Sequence, residues 1–271
     1  MHVTLISTYD LGRQPFGLAS PAAWLRRAGA TVSCIDLAVE PLREDDVRAA
    51  DLIAFFVPMH TATKLAARLM ERLRYLNPRA HLCFYGLYAP MNESYLRALG
   101  SDTILGGEFE AGLLQLVERL DTQRNGRDEE NTSLGGSSTP EANGQLEPVI
   151  SLAKQRFLIP DRTQLPLLEN YAQLMHPDGR SRFVGYTEAS RGCKHLCRHC
   201  PVAPVYEGTF RIVQPDVVLA DIRQQVAAGA EHITFGDADF FNGVGHAAAI
   251  VRALHEEFPT LTYDVTMKIE H

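Results

Sequence analysis

The sequence contains no apolar run approaching the roughly 18 residues that a membrane span requires. Its start, His2-Val3-Thr4-Leu5-Ile6, turns polar and has no cationic segment before it. Neither secretion nor membrane insertion is expected, and the expected location is cytoplasmic. No basic cluster is present either: the net charge is −7 and the Lys and Arg residues are scattered. That argues against a nucleic-acid partner. Cysteine is scarce, five in 271 residues, and three of the five are bunched. Such usage is no disulfide framework; in a reducing compartment it reads as metal chemistry.

What is present begins with alternation. Residues 1–120 interleave short apolar runs (3–7, 32–37, 52–57, 82–85, 103–105) with helical patterns. Ser20 reads as an N-cap with Pro21 in the first helical position and Gly29 past the end. Thr61 opens a longer helix whose stripe is Leu65, Leu69, Leu73 and Leu76, stopped by Asn77-Pro78. Helices at 91–99 and 109–120 complete the unit. Five β-α repeats predict an open, doubly wound α/β sheet of flavodoxin-like order, with ligands beyond the carboxyl ends of its strands. The loops there are 9–19, 58–61, 86–90 and Gly106-Gly107-Glu108. The paired glycines either admit a cofactor to the backbone or simply turn the chain. His60 is either a ligand or a solvated side chain. Cys34 and Cys83, inside strand patterns, read as inert packing residues.

From 121 to 145 the apolar period is lost among Gly, Ser, Asn and acidic residues, which predicts a disordered linker. Residues 146–180 read as a connecting segment, apolar but proline-broken, with ordered coil and a short helix.

The chemistry concentrates after it. A strand at 183–188 runs into Arg191-Gly192-Cys193-Lys194-His195-Leu196-Cys197-Arg198-His199-Cys200, three thiols at C-x3-C-x2-C spacing. Three is one short of a closed tetrahedral zinc site but suits a [4Fe–4S] cluster with one iron free. A zinc site completed by His195 or His199 is the alternative. Helix 215–228, strand 233–235, helix 244–257 and strand 263–269 follow, ending before Pro259 and at Gly229 where the rules require. Three parallel strands with outer helices make the opening half of a (β/α) barrel, whose chemistry sits at the strand ends. Alternation puts Asp264, Thr266, Lys268 and Glu270 on one face of the last strand, toward the lumen or, on a bare edge, toward solvent.

The cysteine loop, with Gly185-Tyr186-Thr187-Glu188 before it and Phe235-Gly236-Asp237-Ala238-Asp239-Phe240-Phe241-Asn242 after it, resembles the signature of the radical S-adenosylmethionine (SAM) superfamily over roughly residues 180–271. Residues 1–120 resemble the cobalamin-binding-type domain that many such enzymes carry. With Pro160-Asp161-Arg162, the layout is similar to a subgroup named for a CUAEP or CCAEP tail, which is absent here. The resemblance implies that Cys193, Cys197 and Cys200 hold [4Fe–4S], with His199 in the aromatic position before the last cysteine. It implies that Gly236, Asp237 and Glu270 lie near SAM, and that a 5′-deoxyadenosyl radical is made for hydrogen abstraction from a small-molecule or peptide substrate. An electron donor such as flavodoxin or ferredoxin is implied as a partner. Cobalamin domains of this type often carry D-x-H-x-x-G in the first loop. This chain has Asp10-Leu11-Gly12-Arg13-Gln14, so a corrinoid would bind without a protein imidazole there. The core is also half the expected one, which implies a truncated chain, inactive alone, or a partner that supplies the rest of the barrel.

Overall fold

The structure is a computed structural model describing residues 1–132 and 147–269. Its larger sheet takes the parallel strands β1 (His2–Ser7), β2 (Thr31–Asp36), β3 (Leu52–Phe56), β4 (His81–Tyr85), β5 (Thr103–Gly107) and β6 (Ile150–Ser151). Their order is β2-β1-β3-β4-β5-β6, the flavodoxin-like order with one strand added. The helices are α1 (Phe16–Arg27), α2 (Glu44–Ala49), α3 (His60–Leu76), α4 (Tyr88–Met91), α5 (Glu93–Ala98) and α6 (Phe109–Thr132). Strands buried on both faces read as continuous apolar runs. Leu52, Ala54 and Phe56 join the core under α1 and α6, while Ile53, Phe55 and Val57 join the opposite one under α3.

Several elements differ from the expectation. Helix α1 starts at Phe16, and Pro21 lies inside it. Pro21 cannot donate to the Gly17 carbonyl one turn back; the buried Tyr85 hydroxyl donates to that oxygen at 2.8 Å instead. The buried stripe of α3 is Ala62, Ala66, Met70 and Leu73, with Leu65, Leu69 and Leu76 flanking it, since small residues let the helix lie close on the sheet. In place of the single helix expected over 91–99 the chain forms two short ones, α4 (Tyr88–Met91) and α5 (Glu93–Ala98). Helix α6 continues past Leu120 to Thr132, where Thr122 donates to the Glu118 carbonyl and Arg124 pairs with Asp51. Those 121–132 residues were expected in a disordered linker; the rest of that segment lies outside the described residues.

A second sheet runs β12-β11-β8-β7, built from β7 (Gln173–Met175), β8 (Ser181–Thr187), β11 (His232–Phe235) and β12 (Thr262–Asp264). The last three are parallel, as expected, and β7 adds an antiparallel edge. A hairpin of β9 (Ser190–Gly192) and β10 (Phe210–Ile212) brackets α7 (Ala203–Tyr206). Helices α8 (Pro215–Ala227) and α9 (Val244–Glu257) cover one face of the sheet through Val218, Ile222, Ile250 and Leu254. The last strand is shorter than the 263–269 expected. Phe240 N–H donates to the Thr266 carbonyl at 2.9 Å, which draws the chain off the ladder after Asp264. Thr266 is exposed, and Glu270 lies outside the described residues. Among the described residues no helix is long and apolar enough to cross a membrane.

Pro160-Asp161-Arg162 joins the two sheets. Asp161 pairs with Arg26 of α1. Arg162 forms a fork on Asp221 of α8 at 2.8 and 2.9 Å and bonds the Gln14 side chain at 2.7 Å.

Candidate metal and cofactor site

Strand β8 ends at Thr187, and the chain turns through Ser190–Gly192 into the cysteine loop. Gly192 takes φ +73, and a Cβ there would lie 2.3 Å from the Tyr206 ring; only glycine fits. The segment after β11 straps the loop from below. Asp237 accepts from Ala189 N–H at 3.0 Å and Ser190 Oγ at 2.5 Å. Asn242 accepts from Lys194 N–H and donates to the Gly192 carbonyl, so it grips the backbone on both sides of Cys193. These bonds explain why a Gly-Asp-Ala-Asp-Phe-Phe-Asn run follows a strand end.

All three loop cysteines are free thiols; Cys193 is buried, Cys197 and Cys200 half-buried. The backbone N–H of His195 points at Cys193 Sγ, 3.5 Å away. His199 is exposed. One tight donor group occurs among the described residues: Cys193 Sγ, a His195 nitrogen and an Asp239 oxygen, all within 4.8 Å of one another. His195 Nε2 is 3.4 Å from Asp239. Thiolates on different irons of a cube stand farther apart than ligands on a single ion, so that group describes a mononuclear geometry. The three thiols on one pinned loop fit a cluster by donor type.

Beside the loop lies a cavity of about 210 Å³, at the carboxyl ends of the strands of both sheets, where such folds take ligands. The first unit contributes Asp10, Arg13, Pro58, Met59 and Gly107, and the second Tyr186, Glu188, Arg191, Gly192 and Gly236. Among the described residues no histidine lines it. His60 is exposed at the start of α3. Gly106 and Gly107 are used for packing: a Cβ on Gly106 would strike Pro90, and one on Gly107 would lie 2.2 Å from the Ser151 carbonyl of β6. Gly236 admits the Tyr186 hydroxyl to within 1.9 Å of where its Cβ would be. Cys34 and Cys83 are buried in the first core, away from the loop, and burial pushes the Cys34 thiol up to about 12.

The cavity wall is electrically unusual. Arg191, 6% exposed, makes a fork on Glu110 of α6 at 2.6 and 2.8 Å and bonds Glu188 at 2.6 Å. Its guanidinium also lies over the rings of Phe16, Phe109 and Phe157. Burial alone would raise Glu110, but Arg191, Ser20 and Gln155 together hold it below its ordinary value. Glu108, which accepts from the Tyr206 hydroxyl, is pushed up to about 7 by burial despite Arg191. Burial likewise lifts Asp10 to about 7, Asp237 to about 6, and Glu188 above its usual range. Burial favours the neutral form of each, which costs less to bury than a carboxylate.

Gly236 and Asp237 therefore sit where the cavity meets the cysteine loop. Asp10, Tyr186, Glu188 and Arg191 stand in motifs quoted from the sequence, but no site role was assigned to them there. The one available signal was the alternation at Tyr186 and Glu188, which puts both on the sheet face away from α8.

No family model matches the chain and no curated protein does. Solved structures do. One is a radical S-adenosylmethionine methyltransferase, TsrM, from Kitasatospora setae, with tryptophan substrate and the SAM analogue aza-SAM bound. It is 18% identical, with a TM-score of 0.67, over 96% of this chain and 53% of that one. The same enzyme with cobalamin and a [4Fe–4S] cluster bound gives 13% and 0.65, over 96% and 52%. At this identity the likeness is one of fold: an α/β doubly wound sheet followed by a further sheet. The chain spans about half the length of TsrM.

Proposed function

We propose that this chain is the cofactor-binding portion of a radical SAM enzyme. Cys193, Cys197 and Cys200 would hold a [4Fe–4S] cluster, and the cavity shared by the two sheets would take SAM. The observation that carries the reading is the pinned cysteine loop, whose stem Ser190, Arg191 and Gly192 lines that cavity. The fold likeness to TsrM over nearly the whole chain supports it. When bound, the cluster supplies the electron that splits the sulfonium of SAM into methionine and a 5′-deoxyadenosyl radical. The chain's own part is placement. Asp237 and Asn242 hold the loop, Gly192 lets it turn, and Gly236 makes room for the Tyr186 hydroxyl at the cavity wall. The buried wall of Arg191, Phe16 and Phe109 keeps water from the inner side. A corrinoid in the same cavity would be held without a histidine from the described residues. An electron donor of the flavodoxin or ferredoxin kind, and further β/α units beyond β12 from this or another polypeptide, complete the proposal.

A second reading is favoured by the Cys193, His195 and Asp239 group. A thiolate, an imidazole and a carboxylate within ligand reach suit one zinc ion. Anaerobic reconstitution with iron and sulfide decides between the two. The cluster reading expects about four irons per chain, a visible charge-transfer band, and loss of both on Cys197→Ala or Cys200→Ala. A colourless protein carrying one zinc, lost on His195→Ala and indifferent to Cys200→Ala, would overturn it. Reconstituted protein given SAM and dithionite should then release 5′-deoxyadenosine once the remaining units are supplied.

A further inference from the structure

A second cavity, also of about 210 Å³, lies behind the first on the open face of the smaller sheet. Its walls include Arg13, Leu174, Val184, Tyr186 and Asp264. Arg13 and Tyr186 line both cavities and form the partition between them. The loop that delivers Arg13 is held firmly. Leu11 and Gly12 take φ 53 and 74, Arg13 N–H bonds the Asp10 carbonyl at 2.8 Å, and Ala172 N–H bonds the Gly12 carbonyl at 2.8 Å. The Arg13 guanidinium rests 4.7 Å over the Tyr186 ring. Among the described residues no side-chain hydrogen bond or contact ion pair holds it, and its charge acts on the buried Asp10 carboxyl of the same loop, lowering it against burial. A guanidinium carries five donors in a planar fork that matches an oxyanion. The far wall is already satisfied: Asp264 accepts from His232 Nε2 at 2.8 Å and from Thr234 Oγ1 at 2.6 Å. An anion there would be repelled by Asp264, so only the Arg13 end accepts one. Leu174 and Val184 line the span between with apolar surface.

We propose that this second cavity is a binding site for a small organic oxyanion, carboxylate or phosphate, gripped by Arg13 with its apolar body along Leu174 and Val184. Its use as the seat of the substrate rests on the radical SAM reading; its capacity to bind does not.

The test uses the full chain, titrated calorimetrically with 3-phenylpropionate, phenyl phosphate and the neutral 3-phenylpropanol, and separately with S-adenosylhomocysteine. At least one anion should bind tenfold or more tighter than the alcohol, and which anion it is names the source. Arg13→Met should bring that anion to the alcohol's level, and Arg13→Lys should keep part of the preference. Leu174→Asp, on the exposed edge strand and outside the first cavity, should weaken the anion without touching Arg13 and leave S-adenosylhomocysteine affinity unchanged. Thermal melts confirm that each variant is folded. Failure of both anions to bind at millimolar concentration, equal binding of the alcohol, or an unchanged anion affinity in Arg13→Met would each overturn the proposal. A loss of S-adenosylhomocysteine in Leu174→Asp equal to the loss of the anion would also overturn it, by placing the anion in the first cavity. Failure of the cluster test leaves these affinities untouched, so the two readings fail separately.

Discussion

Asp10 sits 5% exposed at the cavity wall, with a carboxyl that burial lifts to about 7 against an ordinary 3.8. The unfolded chain releases that proton first. The group therefore favours the fold fully below about pH 4 and loses that contribution as the pH rises through about 7. Glu108, Asp237 and Asp36 are raised in the same direction, so urea stability should fall from mildly acidic to neutral pH. Asp10→Asn removes one of these titrations. Relative to the parent, the variant should gain on the order of 2–4 kcal/mol between about pH 4 and pH 8. A stability difference that stays constant across that range would show that Asp10 ionises without penalty. Asp237 tests the strap directly. Asp237→Ala leaves the buried Ala189 N–H and Ser190 hydroxyl without their acceptor and should cost about 1–3 kcal/mol. Iron retention of the reconstituted protein should fall as well, whereas a role confined to the sheet would lower the melting temperature and leave iron content alone.

Elements show where local rules suffice and where they do not. Helix α9 occupies the residues expected of it, 244–257, because its stop is written locally in Phe258-Pro259. The five parallel strands of the first unit were equally legible, since burial on both faces leaves unbroken apolar runs. Helix α1 was not, because Ser20-Pro21 imitates a helix start and the residue that lets Pro21 sit inside, Tyr85, is far along the chain. Strands β6 and β7 escaped notice for the same reason: two and three residues long, they exist through partners in β5 and β8. In the site, the cysteines and the Gly-Asp strap were legible as spacing. The arginine clasp was not, because Glu110 lies 81 residues from Arg191. The Tyr85 explanation is testable by a double-mutant cycle. Tyr85→Phe should cost about 1–2 kcal/mol by stranding the Gly17 carbonyl. Pro21→Ala provides an N–H for that same oxygen, so Tyr85→Phe should cost measurably less in that background. Equal costs in both backgrounds would mean that Tyr85 acts through packing alone.

Across the whole molecule, two polar clasps turn a pair of sheets into one body. Arg162 ties the connecting segment to Asp221, with the neighbouring Asp161 on Arg26 of the first unit. Arg191 ties the cysteine loop to Glu110 at the start of α6. The second matters more to function, because Arg191 is two residues from Cys193 and any slack in it moves the loop against the cavity wall. Buried ion pairs add little net stability when formed, yet removing one partner is expensive, since the other charge stays buried alone. Arg191→Met should therefore cost about 3–5 kcal/mol. Glu110→Gln in the same chain should return part of that loss, because it removes the stranded charge while keeping bonds to Ser20 and Gln155. If the clasp is what couples the units, Arg191→Met unfolds in two calorimetric steps and the double variant returns toward one. The parent should show a single step. A parent that already melts in two steps would mean that the sheets are held by the Arg162 strap and apolar contacts alone, with Arg191 serving only the local turn.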